Sequence, residues 1–95
     1  MVLGARLFNQ TPSYIPANSD FNDYVTPGAY RVRNYSDSVT IANRPANIAG
    51  LLYYLSPFID TDKEKYGAQI FISSNGFYVR TLSNATWSNW KNLLS

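Results

Sequence analysis

Cysteine and histidine are both missing from this chain. The first absence excludes disulfides, thiolate nucleophiles and thiolate metal sites. The second removes the commonest general base and the commonest metal ligand. Charge is sparse as well: charged side chains make up 15% of the sequence, and eight basic residues against six acidic ones give a net charge of +2. Arg31 and Arg33 form the only tight basic pair with no acid between its members. Without a basic stripe, nucleic-acid binding has little to rest on. The longest apolar run, residues 48–55, falls far below the ~18 residues of a membrane span. The opening Met-Val-Leu-Gly-Ala-Arg-Leu has neither the length nor the basic start of a signal peptide. A soluble chain without membrane insertion is expected.

What the chain does have is aromatic mass. With 95 residues it makes one domain, and 16% of those residues are aromatic. A domain this small buries only roughly 60–65% of its unfolded surface. Large rings, each burying about 150–250 Å², offset the small core.

Residues 1–18 carry Pro12, Pro16, Asn9 and Asn18 among apolar Leu3, Leu7, Phe8, Tyr14 and Ile15. They read as an extended N-terminal arm that docks on its own domain or on a neighbour. Residues 19–24 then predict one short helical turn, capped by Ser19, with Asp20 and Asp23 where the helix dipole favours anions. Thr26-Pro27-Gly28 predicts a type II turn. Residues 29–34 alternate, Tyr30 and Val32 against Arg31 and Arg33, as a half-buried strand does. Residues 35–49 read as loop, with a short strand at Val39-Thr40-Ile41. Residues 50–56 are apolar on both faces, which predicts a central strand covered on both sides.

A β-hairpin is written into residues 69–80. Asn75-Gly76 is the preferred pair for a two-residue type I′ turn. That turn sets Ser74 opposite Phe77, Ile72 opposite Val79 and Phe71 opposite Arg80. Ile70, Ile72 and Val79 then share one face, and Gln69, Phe71, Tyr78 and Arg80 the other. A final short turn capped by Asn84 or Thr86 would line up Trp87, Trp90 and Leu93; irregular chain folding back over the sheet fits the same spacing. The expected fold is therefore mainly β (small α+β): a compact antiparallel sheet with a C-terminal hairpin, one N-terminal helical turn and the arm.

Residues 20–30, Asp-Phe-Asn-Asp-Tyr-Val-Thr-Pro-Gly-Ala-Tyr, resemble the opening D-L-N-D-L-x-x-P-G-x-Y of the knob domains in bacteriophage tail fibres and R-type pyocin fibres. Gln69-Ile70-Phe71, Asn75-Gly76, Tyr78-x-Arg80 and Trp87-x-x-Trp90 resemble the same domain's ending. The motifs follow in order across residues 20–93. The resemblance implies a small β knob over residues 19–95, carried on an elongated and usually trimeric fibre of a virion or tail-like particle. It also implies a role in host-surface attachment.

Catalytic chemistry finds little footing. Asp60, Asp62 and Glu64 begin like a calcium loop, but Lys65 and Phe71 stand where that loop needs glycine and an acid. Asp20 with Asp23, or Asp60 with Asp62, could be spaced as a glycosidase pair, yet no carboxylate sits in apolar sequence that would raise its pKa. No nucleophile–base pair can be assembled beyond a Ser–Lys pair that nothing indicates. No cofactor or metal is expected. The sequons at Asn9, Asn34 and Asn84 carry no weight without a signal peptide.

Trp87, Trp90, Tyr78 and Arg80 can be read as a sugar platform or as core. Because so short a chain needs its largest rings inside, they are expected, with Phe71, to be a structural clasp, Phe71 and Arg80 forming a cross-strand cation–π pair. Tyr35, Arg44, Tyr54 and Tyr66, among Asn- and Ser-rich loops, are the expected ligand-binding residues, for host glycan or another receptor. The expected function is thus a non-enzymatic knob of a tail fibre, homotrimeric, meeting other tail proteins through its arm. The alternative is a trimerising spacer or decoration protein that binds no receptor.

Overall fold

The computed structural model describes residues 11–94. Among them, seven strands form one sheet in the order β1-β2-β3-β4-β5-β6, with β7 also paired to β5. The strands are β1 Ser13–Tyr14, β2 Gly28–Val32, β3 Gly50–Leu55, β4 Gly67–Ser73, β5 Gly76–Ser83, β6 Thr86–Trp87 and β7 Lys91–Asn92. All pairings are antiparallel except β1 with β2. A 3-10 helix, Phe21–Asp23, and a one-turn α-helix, α1 Tyr35–Ser38, complete the elements.

One face of the sheet carries the core. Val32, Leu52 and Phe71 point from it onto Ile15, Phe21 and Ile41, which come from the segments crossing beneath. Tyr24, Tyr30, Ile48, Tyr78 and Trp90 seal the margins. Residues 11–18 dock on their own domain, one of the two expected places. β1 is paired with β2, Ile15 donates its N–H to the Arg31 carbonyl, and its side chain is fully buried. Residues 1–10, the rest of the expected arm, lie outside the described residues.

Several local expectations are corrected. The helical turn is capped by Asp20, whose carboxylate accepts from the Asn22 N–H at 2.9 Å, while the Ser19 hydroxyl turns back to the Pro16 carbonyl. Gly28 does not sit at a type II corner, where φ is near ~+80°; with φ 158° it opens β2 instead. Val39-Thr40-Ile41 is not a strand. It is the exit of α1, whose start is formed by the Asn34 side chain accepting from the Asp37 N–H at 2.8 Å. Ser38, buried at the helix end, donates to the Ala46 carbonyl and accepts from the Ile48 N–H, tying the next loop down.

The hairpin keeps its predicted faces but moves its turn. Ser73 pairs with Gly76 and Ile72 with Phe77, so the two-residue turn is Ser74–Asn75 rather than Asn75–Gly76. The positive-φ pair belongs to the next turn, Asn84 at 49° and Ala85 at 63°, between β5 and β6. Gly76 is needed for space: a Cβ there would lie 2.5 Å from the Tyr78 ring. The register shift is even, so Gln69, Phe71, Tyr78 and Arg80 still share a face. The terminal segment is not a helical turn but β6 and β7, and Leu93 is exposed. Strand β3 is central, as its composition suggests, yet among the described residues only its Leu52 and Tyr54 face is covered.

α1 is anchored by its own acid. Asp37 accepts from the Tyr14 hydroxyl at 2.7 Å and from Arg33 Nε at 2.8 Å, joining α1 to β1 and to the end of β2. These donors, the Tyr14 hydroxyl foremost, hold the Asp37 carboxyl below the usual carboxylate range. A depressed folded-state value means stability that is present above the unfolded pKa and lost as the pH falls through the folded one. Asp37→Asn is expected to lower the urea midpoint at pH 7, and the gap to the parent protein should close as the pH falls below about 4. Equal gaps at neutral and acid pH would show that the carboxylate charge contributes nothing.

Candidate functional site

The densest polar cluster lies beneath β4 and β5. Arg80 is only 5% exposed. Its Nε and Nη2 both donate to Gln69 Oε1, at 3.0 and 2.8 Å, and Nη2 also donates to Asn22 Oδ1 at 2.9 Å. Gln69, fully buried and directly opposite Arg80, donates through Nε2 to the carbonyls of Phe21 and Tyr24, at 2.6 and 3.1 Å. An amide suits this place because it accepts on one side and donates on the other. Among the described residues no carboxylate is paired with the guanidinium; Asp20 favours the cation only at longer range. Burial pulls the Arg80 pKa down to about 10, which leaves it charged at neutral pH.

Two indoles complete the surroundings of the charge. The guanidinium carbon lies 4.0 Å from the Trp87 ring centre and 4.6 Å from that of Trp90. Residues three apart on a regular strand point to opposite faces. Here a β-bulge changes that. Leu82 pairs with Trp87 and Val79 with Lys91, so three steps along β5 match four along its partner. The extra residue falls between Ser88, which is bonded to Thr81, and Lys91. It returns Trp90 to the core face, where it meets Phe21 edge-on and donates Nε1–H to the Asn43 carbonyl at 2.8 Å.

The predicted clasp residues Phe71, Tyr78, Arg80, Trp87 and Trp90 thus lie on one face of the sheet, but with other partners than expected. Phe71 pairs with Tyr78, and the cation–π contacts of Arg80 are to the tryptophans, not to Phe71. The cause is the turn position, which puts Gln69 opposite Arg80. Gln69 and Asn22 were missed as functional residues by the sequence reading. Their signal was a lone amide among Ala68, Ile70 and Phe71, where a buried polar group demands partners.

The predicted ligand residues do not form one site. Tyr54 is fully buried, with its hydroxyl bonded to the Lys63 and Tyr66 carbonyls, and it offers no surface to a ligand. Tyr35 is exposed on α1. Arg44 is held by the Asn47 side chain and the Ile41 carbonyl. Tyr66 lies at the foot of the 56–66 loop, packed edge-on against Phe58. The connections bearing Tyr35 and Arg44 enter β3 at its start, and the loop bearing Tyr66 leaves from its other end. Beside Tyr66 an open groove of about 440 Å³ is lined by Leu55, Ser56, Pro57, Ala68 and Leu82. That volume lies within the roughly 300–1,000 Å³ of small-ligand sites.

Solved structures carry the same architecture. An N-truncated R2-type pyocin tail fibre superposes with a TM-score of 0.76 at 21% identity, over 88% of this chain and 32% of its own. Fibre fragments of the R1 and R2 pyocins of P. aeruginosa give 0.77 and 0.78, both at 20% identity. They cover 97% and 98% of this chain and 24% and 25% of their own. The fold is a pyocin-fibre knob. This knob spans a quarter to a third of the fibre structures that it matches. No protein-family model matches the sequence, and no curated protein matches it significantly.

Two predictions concern the cluster that holds the knob together. Gln69→Leu is expected to cost about 3–4 kcal/mol, because it strands a buried cation, and Arg80→Met about 2 kcal/mol. In urea titrations the double variant should fall short of the sum by about 1 kcal/mol or more, while strict additivity would show the two groups to be independent. Deleting Asn89 removes the extra residue of the bulge and leaves Trp87 and Trp90 two apart on a regular strand, with Trp90 opposite Arg80 and still on the core face. The near-UV circular dichroism of the indoles should therefore persist; its collapse with an unchanged far-UV spectrum would contradict this account of the bulge.

Proposed function

We propose that this chain is a non-enzymatic module of a tail fibre, on a virion or a tail-like particle, and that it contributes to attachment at a host surface. One observation carries the reading: almost the whole chain takes the fold of a segment of the pyocin fibres. The acids support a non-catalytic role, since Asp20 is used as a cap and Asp37 as an anchor. Among the described residues no helix is long and apolar enough to cross a membrane. The module works as a homotrimer that meets other tail proteins through its N-terminal arm.

The surface offered to a host glycan or other receptor is made by Tyr66 with its groove and by Tyr35 and Arg44 near the opposite end of the sheet. Exposed tyrosines give flat contact area at low entropic cost, which suits a weak, repeated contact multiplied by avidity. A second reading, a trimerising spacer without a receptor, is favoured by the apolar second face of the sheet, which among the described residues exposes Leu55 and Ile72.

Displaying the chain on a trimeric scaffold and probing glycan arrays and host cells distinguishes the readings. Binding is expected, reduced about tenfold by Tyr66→Ala or Tyr35→Ala. No binding in that high-avidity format would sink the attachment role and leave the spacer.

A further inference from the structure

Among the described residues, the sheet's second face takes no part in the core cluster. Leu51, Tyr53 and Leu55 of β3, Ile70 and Ile72 of β4 and Val79 of β5 all point away from the core. They form rows across the strands, Tyr53 beside Ile70 beside Val79, and Leu51 beside Ile72. Leu55 is 51% exposed and Ile72 36%. An antiparallel sheet with one face in water alternates apolar with polar residues, and this one does not. Broad apolar patches of this kind mark contact sites.

Charge at the margins decides what fits there. β2 to β5 contain no acid, and the apolar rows end in exposed cations, Arg31 opposite Leu51 and Lys91 opposite Val79. The acids lie elsewhere, in the loop between β3 and β4. Its tip exposes Ile59 at 82% and Phe58 at 43%, followed by Asp60, Asp62 and Glu64, with Lys63 and Lys65 interleaved toward the returning limb. The loop is built rather than loose. The Ser56 and Tyr54 hydroxyls bond across its base, and the Phe58 and Tyr66 rings pack within it.

We infer that the apolar face receives the Phe58–Ile59 tip of a second copy of this chain, head to tail, with Asp60 and Asp62 reaching the Arg31 and Lys91 margins. Packing two faces together would instead set cation against cation with no acid on either sheet. A head-to-tail contact uses two different patches on each copy, so it forms a ring where the rotation between copies closes and a filament where it does not. That the ring closes at three rests on the fibre reading above; the contact itself does not.

The test follows from the two-patch geometry. Sedimentation and light scattering of the full chain should show an oligomer that weakens with salt. Ile59→Asp on the loop and Ile72→Glu on the face should each weaken association by roughly tenfold or more. Both sites are exposed, so far-UV circular dichroism should be unchanged; Leu51→Lys replaces Ile72→Glu if that variant does not fold. Mixed in equal amounts, the two variants should restore a 1:1 complex, because one intact loop meets one intact face. Failure of the mixture to associate, or an oligomer unaffected by Ile59→Asp, overturns the head-to-tail contact while leaving the fibre reading in place. A parent chain that stays monomeric overturns the contact and the trimeric fibre module together.

Discussion

A buried guanidinium without a carboxylate is the constraint around which this domain is organised. Moving a cation out of water costs several kcal/mol, and the cost is met here by neutral groups. Gln69 supplies one oxygen to two N–H groups, Asn22 supplies another, and the two indoles provide polarizable surface. Each partner belongs to a different piece of the chain: β4, the 3-10 helix, β6 and the segment before β7. Arg80 can be buried only when all of them are in place. Gln69 extends the dependence, because its amide also binds the carbonyls at both ends of the 3-10 helix. A domain with so few fully buried apolar side chains among its described residues gains through this cluster a cooperativity that its small size would otherwise deny.

The same cluster explains the uneven use of the sheet. The segment carrying Phe21 is drawn to the face bearing Arg80 and Gln69, since its Phe21 and Tyr24 carbonyls and the Asn22 amide are partners required there, and Ile15 and Ile41 join it as apolar core. Among the described residues the middle of the other face, Leu51, Ile70, Ile72 and Val79, is apolar and makes no such demand for hydrogen bonds. One side is thus completed by the chain itself. Among the described residues the other is covered only in part, with Leu55 and Ile72 exposed.

Much of this was legible in residues, and the rest failed for identifiable reasons. The faces of the hairpin followed from alternation and survived a shifted turn, because a shift of even order leaves every side chain on its side. The turn itself misled: Asn75-Gly76 is a strong preference, but the approach of the Tyr78 ring to Gly76 placed the glycine in the strand, and the positive φ values went to Asn84 and Ala85. α1 was read as loop because its single turn has no period to detect; only Asn34 three residues before Asp37 betrays it. Of the four expected ligand residues, Tyr54 was misplaced because composition cannot distinguish a tyrosine that spends its hydroxyl on a loop's base from one that faces a ligand.

Trp87 and Trp90 show how one residue of slack converts a local pattern into a tertiary one. Along a straight strand they would diverge, one ring to the core and one to the open face. A helical turn would bring them together but would leave the outer edge of β5 unpaired, a hazard for aggregation. The bulged strand does both: it pairs with β5 at Leu82 and Ser83 and again at Tyr78 and Val79, and it swings both indoles to Arg80. An inserted residue at the sheet's margin thus covers the edge and completes the surroundings of the buried charge. The spacing Trp-x-x-Trp is the trace in sequence of that double requirement.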